Sequence, residues 1–155
     1  MFKNILVPVD GSDQSLQSAK VAADLAIKNN GKIHLLYVIR LYAFEYKGME
    51  GKTEIPGGAI EIGQSIMEKI RRIIENDGIE ITSEIVYGNP AEVIIKTSRD
   101  SFDLIVMGSR GLGGLNGVLL GSVSNQVSHY ASCPVLLTRL GKEENKIINE
   151  IVSAV

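Results

Sequence analysis

A short glycine-rich segment carries the residues of this chain that are best suited to chemistry. Gly108-Ser109-Arg110-Gly111 directly follows the apolar run at residues 104–107, and nine residues separate it from Gly121-Ser122. Glycines let backbone N–H groups approach a ligand that side chains would block. A strand that leads into such a loop and then into a helix N-terminus is a geometry that holds phosphates. The segment therefore predicts a phosphate-binding site.

Polar side chains near these glycines extend the candidate site. Ser122 and Ser124 add hydroxyl groups, and Arg110 could neutralise phosphate charge or be a solvated loop residue. Asp10 follows the first apolar run, so it could accept from a ribose hydroxyl or adenine amine, help to hold a metal, or cap the next helix. If the first and fourth strands are neighbours, Asp10 faces residues 108–111, here called the glycine loop, because both follow the carboxyl ends of parallel strands. Ligands of open α/β sheets bind beyond these strand ends. That placement favours ligand contact.

Segments typical of strands and helices alternate along the chain. Short apolar runs predict central strands buried on both faces of a parallel sheet, and the alternation of apolar and polar residues at 79–87 predicts an edge strand. Apolar residues at helical spacing predict the helices between the strands. The predicted strands are residues 5–9, 33–39, 79–87, 104–107 and 134–139, and the predicted helices cover residues 15–29, 62–73, 90–99 and a segment that begins at 122. The alternation predicts an α/β fold, in which one domain contains a five-stranded parallel sheet with helices on both faces.

Turn and cap residues mark several boundaries of these elements. Ser12 is the predicted N-cap of the first helix and Gly31 the predicted residue just beyond its C-terminus. Asn89 is the predicted N-cap of the third helix, with Pro90 at its first position. Residues 42–58 show no clear period and predict a long connection. The tail at residues 141–155 has the pattern of a short amphipathic helix, for which packing on the sheet and contact with a partner are both open.

The composition narrows the class of protein. The chain has 155 residues, of which 45% are apolar, and this suits a single packed domain. A net charge of −2 argues against binding to nucleic acid, which requires a basic surface. Cys133 is the single cysteine, so no intramolecular disulfide forms, and no apolar run approaches the roughly 20 residues of a membrane helix. We expect a cytoplasmic protein that binds neither nucleic acid nor membrane.

The chain resembles the universal stress protein family over residues 1–140. The resemblance is carried by residues 4–12 (Asn-Ile-Leu-Val-Pro-Val-Asp-Gly-Ser), by the segment from Val106 to Ser124, and by residues 133–137. The spacing of the three glycines, with two and then nine residues between them, is similar to the signature of the ATP-binding branch. The resemblance implies a Rossmann-like, adenine nucleotide alpha hydrolase-like sheet of strand order 3-2-1-4-5, in a domain at residues 1–140 that the amphipathic tail follows.

The resemblance also implies the ligand and the residues that bind it. The implied ligand is ATP, with Mg²⁺ or Mn²⁺ held mostly by its phosphates and Asp10 as a candidate protein ligand of the metal. The implied adenosine-side residues are Pro8, Val9, Asp10, Val38 and Met107. Asp10 would lie near the ribose, Val38 would pack on the base, and Met107 would form the pocket floor. The implied phosphate-side residues are Gly108, Arg110, Gly111, Gly121, Ser122, Val123 and Ser124. Finally, the resemblance implies a homodimer through the fifth strand, Val135 to Thr138.

Three functions stay open on the sequence alone. The leading hypothesis is an ATP-binding regulatory module of the stress response, with slow or absent hydrolysis because the sequence shows no convincing general base. The second is a slow ATPase or adenylyl-transferring enzyme. The third is a nucleotide-free dimerisation module, against which the intact glycines at 108, 111 and 121 count. The sequence does not distinguish ATP from ADP or AMP as the working ligand.

Overall fold

The computed structural model describes residues 1–41, 57–111 and 120–140. The predicted strands and helices are confirmed, with ends that shift by a few residues. The observed elements are β1 (Asn4–Val9), α1 (Asp13–Asn29), β2 (Lys32–Arg40), α2 (Ala59–Ile74), β3 (Glu80–Gly88), α3 (Pro90–Thr97), β4 (Leu104–Gly108), α4 (Ser122–Tyr130) and β5 (Val135–Thr138). The predictions for residues 42–56 and for the tail at 141–155 lie outside the described residues.

The five strands form one parallel sheet in the order β3-β2-β1-β4-β5, as predicted. From β1 the chain builds outward to β2 and β3 on one side, and then returns to β4 and β5 on the other. The direction of winding therefore reverses between β1 and β4. Ligands of open α/β sheets bind beyond the carboxyl ends of strands at such a switch point. Across the described ranges, no helix combines the length and apolar character that a membrane span needs.

Both faces of the sheet are covered by helices. Ile5 and Val7 of β1 belong to an apolar cluster that contains residues of α1 and α2. Leu6 belongs to a second cluster, with Ile94 of α3 and Val127 of α4. Successive residues of a strand point to opposite faces, so a central strand buried on both sides needs a continuous apolar run. The sequence of β1 meets this requirement and fixes the strand at the centre of the fold.

Pro8 limits the pairing between the two central strands. The ladder of β1 with β2 extends to Val9, whereas its ladder with β4 ends at Leu6. Backbone groups of successive residues face alternate neighbours, and the Asn4 carbonyl accepts from Asp103 N–H on the β4 side. Residue 8 faces the same side as residue 4, and its proline nitrogen carries no hydrogen to donate. The ladder between β1 and β4 thus stops short of their carboxyl ends, which is where the candidate site lies.

The predicted N-caps are confirmed. The Ser12 hydroxyl oxygen accepts from the Ser15 N–H at 3.1 Å, at the start of α1. The Asn89 side chain accepts from two amides in the first turn of α3, and Pro90 occupies the first helical position. These caps satisfy amides that have no acceptor within their own helix.

The C-terminus of α1 differs from the prediction. Asn30, and not Gly31, takes the left-handed conformation, with φ of 50°. The Gly31 N–H donates to the Ala26 carbonyl at 2.9 Å, which closes the last turn of the helix. Gly31 is required for space, because a Cβ at this position would lie 2.8 Å from the carbonyl oxygen of Phe2.

Candidate functional site

The residues predicted for the site lie at or just beyond the carboxyl ends of β1, β2 and β4 and at the start of α4. Asp10 directly follows β1, and Gly108 is the last residue of β4. The two strands are neighbours in the sheet, which was the condition for Asp10 to face the glycine loop. A Cβ on Gly111 would lie 2.5 Å from Oδ2 of Asp10, so the carboxylate rests against the bare backbone of Gly111. The fold therefore brings the acidic group and the glycine loop together.

Asp10 takes part in the local turn as well as facing the loop. Its Oδ1 accepts from the Ser12 N–H at 2.9 Å, which is the turn-forming role that the sequence left open. The Tyr37 side chain on β2 interacts electrostatically with the same carboxylate. Burial raises the pKa of Tyr37 above its ordinary value, and the negative charge of Asp10 raises that pKa further. Tyr37 thus belongs to the surroundings of Asp10, although nothing in the local sequence indicated it.

Gly108 is a glycine because α1 packs closely against it. A Cβ at this position would lie 2.9 Å from the Arg110 carbonyl oxygen and 2.9 Å from Cβ of Gln14. A main-chain oxygen on one side and the root of a side chain on the other leave no room for a methyl group. The first glycine of the loop therefore serves the contact between β4 and α1.

Ser109 joins the glycine loop to two other elements. Its side chain is buried, and its N–H donates to the Thr138 carbonyl of β5 at 2.9 Å. Its carbonyl accepts from the Gly121 N–H at 2.7 Å and from the Ser124 hydroxyl at 2.6 Å. No separate role for Ser109 was evident from its position in the glycine-rich segment. The structure places it at the junction of β4, β5 and α4.

These bonds divide the predicted phosphate donors into two groups. The Gly121 N–H and the Ser124 hydroxyl are used within the protein, and Ser124 is 2% exposed. Ser122, by contrast, is exposed, and Val123 is half-buried. In the part of the chain that the structure describes, no side chain caps α4, whose N-cap is Gly121. The first three amides of α4 (residues 122–124) therefore have no acceptor within their helix and lie at its positive dipole end.

The start of α4 lies next to the glycine loop. A Cβ on Gly121 would lie 3.4 Å from Cα of Arg110 and 3.5 Å from the Ser109 carbonyl oxygen. Arg110 itself is half-buried and Gly111 is exposed. The backbone of a basic residue, an exposed glycine and three helix amides thus meet in one region. Such groups are suited to an anion.

Gln14 contacts the loop from the first turn of α1. Its Oε1 accepts from the Arg110 N–H at 3.0 Å and from the Ser109 hydroxyl at 3.4 Å. Nothing in the sequence marked Gln14 as part of the site. The bonds join residues 96 and 95 positions apart, and no local pattern reports such a contact.

The apolar residues predicted for the adenosine side divide between the two faces of the sheet. Val38 and Met107 belong to the cluster on the α3 and α4 face, where Val38 is half-buried. Strand alternation puts Pro8 on that face too, since its neighbour Val9 belongs to the cluster on the α1 and α2 face. Pro8, Val38 and Met107 can therefore line one surface, and Val9 can reach the same space through its backbone.

The described residues (1–41, 57–111 and 120–140) contain no group of three or more His, Cys, Asp or Glu side chains placed to hold a metal ion. Asp10 is the acidic residue that faces the loop. A divalent cation at the site would take most of its ligands from phosphate oxygens, which Mg²⁺ commonly does.

Comparison with known proteins assigns the family. The family model described as "Universal stress protein family" matches residues 1–139. The chain is 36% identical to universal stress protein MJ0531 of Methanocaldococcus jannaschii over 146 residues, which cover 93% of this chain and 86% of the relative. The solved structure of protein MJ0577 from the same organism superposes with a TM-score of 0.78 at 32% identity, covering 92% of this chain and 99% of that one.

Two further solved structures of this fold are described as nucleotide complexes. One is a universal stress protein in complex with cAMP, with a TM-score of 0.63, 22% identity, and coverage of 90% of this chain and 99% of that one. The other is the Archaeoglobus fulgidus protein in complex with dAMP, with a TM-score of 0.65, 18% identity, and coverage of 90% and 98%. At these identities the likeness concerns the fold.

Proposed function

This chain belongs to the universal stress protein family, and we propose that it binds ATP as a regulatory module of the cytoplasmic stress response. The observation that carries the proposal is the N-terminus of α4, which no side chain among the described residues caps and which lies beside the glycine loop. Proteins of the same fold that are described as cAMP and dAMP complexes support an adenine nucleotide as the class of ligand.

The phosphates are proposed to bind between α4 and the glycine loop. The amides of residues 122–124 have no helical acceptor, and Arg110, whose Cα lies beside Gly121, would supply a positive charge to the phosphates. Hydrogen bonds to charged groups contribute about 1.5–3 kcal/mol each, so a few of them suffice for micromolar to millimolar affinity. In this proposal Gly121 and Ser124 support the site from behind, because the Gly121 N–H and the Ser124 hydroxyl already bond the Ser109 carbonyl.

The adenosine moiety is proposed to lie along β1 and β2. Asp10 at the end of β1 is an acceptor of the type that ribose hydroxyls require. Pro8, Val38 and Met107 share the α3 and α4 face of the sheet and offer apolar contact to a base. The β1–β4 ladder ends early at the switch point, where ligands of open α/β sheets bind.

A divalent cation, Mg²⁺ or Mn²⁺, is proposed to bind with the phosphates. The Asp10 carboxylate against Gly111 is a hard oxygen ligand at the right edge of the sheet. Phosphate oxygens would complete the coordination. The cation would supply charge neutralisation, while the amides and Arg110 position the phosphate chain.

Calorimetric titration with ATP, ADP, AMP and adenosine in the presence of Mg²⁺ tests this function. We expect Arg110→Gln to weaken ATP about tenfold, since a charged contact is lost, and to leave adenosine nearly unchanged. Arg99→Gln is the matched control, because Arg99 is exposed beyond the far end of α3. Absence of ATP binding by the wild-type protein at millimolar nucleotide would refute the proposal.

A homodimer through β5 is proposed as the assembly. β5 is the last strand of the sheet, with β4 on its inner side, and Leu136 is 39% exposed. An open strand edge pairs readily with a second copy across a two-fold axis. We expect Leu136→Asp to shift sedimentation towards the monomer, whereas Ile62→Asp, at a residue 56% exposed on α2, leaves it unchanged. A wild-type monomer at high concentration would exclude the dimer.

A further inference from the structure

We infer that Gln14 is a positioning residue for the phosphate site, and this inference rests on the proposed nucleotide binding. Gln14 lies in the first turn of α1, outside the glycine signature. Its Oε1 accepts from the Arg110 N–H at 3.0 Å and from the Ser109 hydroxyl at 3.4 Å. Through these bonds it acts on the loop and not on the ligand.

The contact with Gln14 is one side of a clamp on a single peptide group. The Arg110 N–H and the Ser109 carbonyl belong to the same planar peptide unit and point in opposite directions. Gln14 of α1 holds the N–H, while Gly121 and Ser124 hold the carbonyl from the α4 side, at 2.7 and 2.6 Å. The orientation of this peptide therefore sets the loop against the start of α4.

The geometry also determines which atom of Gln14 must face the loop. A backbone N–H is a donor only, so the Arg110 amide requires the side-chain oxygen of Gln14. Cβ of Gln14 lies 2.9 Å from the position that a Cβ on Gly108 would take, so the helix turn is held close to the loop. The acceptor is consequently presented at a fixed position.

Loss of the acceptor should affect the phosphates more than the adenosine. Without Gln14 the 109–110 peptide loses one of its two anchors, and the alignment of Arg110 with the α4 amides relaxes. Pro8, Val38 and Met107 lie on the other part of the proposed site and do not depend on this peptide. The signature of the positioning role is thus a loss of ATP affinity with adenosine affinity retained.

Gln14→Met tests the inference, because methionine has a similar length and helix propensity but no comparable acceptor. We expect the Kd for ATP to rise about tenfold, the equivalent of about one hydrogen bond, and the Kd for adenosine to change less than about twofold. Gln17→Met, one turn along the same helix, is the matched control and should change neither. Gln14→Asn, which retracts the amide by one carbon, is a second variant with the same expected pattern.

A measurement without nucleotide makes the test independent of ligand binding. In ¹H–¹⁵N spectra we expect the Arg110 amide to shift and to exchange faster in Gln14→Met, and to return towards its wild-type position in Gln14→Glu, which restores an acceptor. An Arg110 amide that does not respond, or equal losses for ATP and adenosine, would overturn the role of Gln14. Failure of the wild-type protein to bind ATP would instead refute the proposed function, while the amide measurement still decides whether Gln14 holds the loop.

Discussion

The glycines at positions 108 and 121 should respond differently to the same substitution. A Cβ on Gly108 would lie 2.9 Å from the Arg110 carbonyl oxygen and 2.9 Å from Cβ of Gln14, and neither atom is the end of a flexible side chain. A Cβ on Gly121 would meet its nearest neighbour, Cα of Arg110, at 3.4 Å, and the φ and ψ of −70° and 161° are accessible to alanine. The first site is full and the second has room for a methyl group.

The magnitudes follow from these distances. At Gly108 the neighbours must move by about 0.5 Å to reach an ordinary contact distance of 3.4 Å (3.4 − 2.9), and overpacking of this kind costs about 1–3 kcal/mol. Gly121→Ala restricts the unfolded chain at a compatible conformation, which stabilises by about 0.4–1 kcal/mol. Gly121 is also the N-cap of α4, where alanine is less favourable than glycine by a similar amount, so the net change in stability should be small. The affinity for ATP should nevertheless fall in Gly121→Ala, because the new methyl group at position 121 would stand beside the proposed phosphate site.

Urea denaturation of the nucleotide-free protein measures the first effect, and calorimetric titration with ATP measures the second. For a chain of this size, 1 kcal/mol corresponds to a change of about 2–4 °C in Tm, so thermal melting provides a check. We expect Gly108→Ala to lose stability, and Gly121→Ala to change stability little while binding ATP more weakly. Equal destabilisation by the two alanines would refute the argument from space, and unchanged ATP binding by Gly121→Ala would remove α4 from the phosphate site.

Three further predictions test other parts of the structure. Asp10→Asn should lower the pKa of Tyr37, because the negative charge of Asp10 is removed while the burial of Tyr37 remains. NMR titration of the Tyr37 ring would measure this change, and an unchanged pKa would show that the two side chains do not interact. Asn89→Ala should cost about 1 kcal/mol of the free energy of unfolding in urea by removing the cap of α3, and an unchanged free energy would show that the cap does not stabilise the helix. Pro8→Ala should supply an N–H that faces β4, extend the β1–β4 ladder and thereby weaken ATP binding. Hydrogen exchange of the new amide tests this, because an amide at position 8 that exchanges freely with solvent would show that the ladder is not extended.

The fold could be predicted because each element has a local signal. The apolar run of β1 and the alternation in β3 indicated a central and an edge strand, and the sheet places them there. Asn89 and Pro90 located the start of α3, since cap chemistry is local. The start of α2 at Ala59 was three residues earlier than predicted, because its N-cap, Gly58, carries no side chain that could mark it.

The candidate site could be predicted in position but not in its internal bonding. Strand ends and a Gly-Ser pair before a helix are visible in the sequence, and the structure brings Asp10 against Gly111 as expected. Gly108 and Gly121 look alike in the sequence, yet packing makes only the first of them obligatory. The role of Gln14 depends on contacts with residues 95 and 96 positions away. The role of Ser109 depends on the meeting of β4, β5 and α4. Only the folded chain determines such contacts.

The hydrogen bonds of Ser109 connect the proposed nucleotide site to the edge of the sheet. Its N–H bonds the Thr138 carbonyl of β5, while its own carbonyl bonds the start of α4. The Thr138 hydroxyl in turn meets the Ser18 hydroxyl of α1 at 2.7 Å, and both residues are buried. Buried polar groups are costly to leave without partners, so these bonds are expected to form and break together. The glycine loop, α1, α4 and β5 are thus held in one arrangement by one buried network, and a displacement of any one of these elements has to be accommodated by the other three.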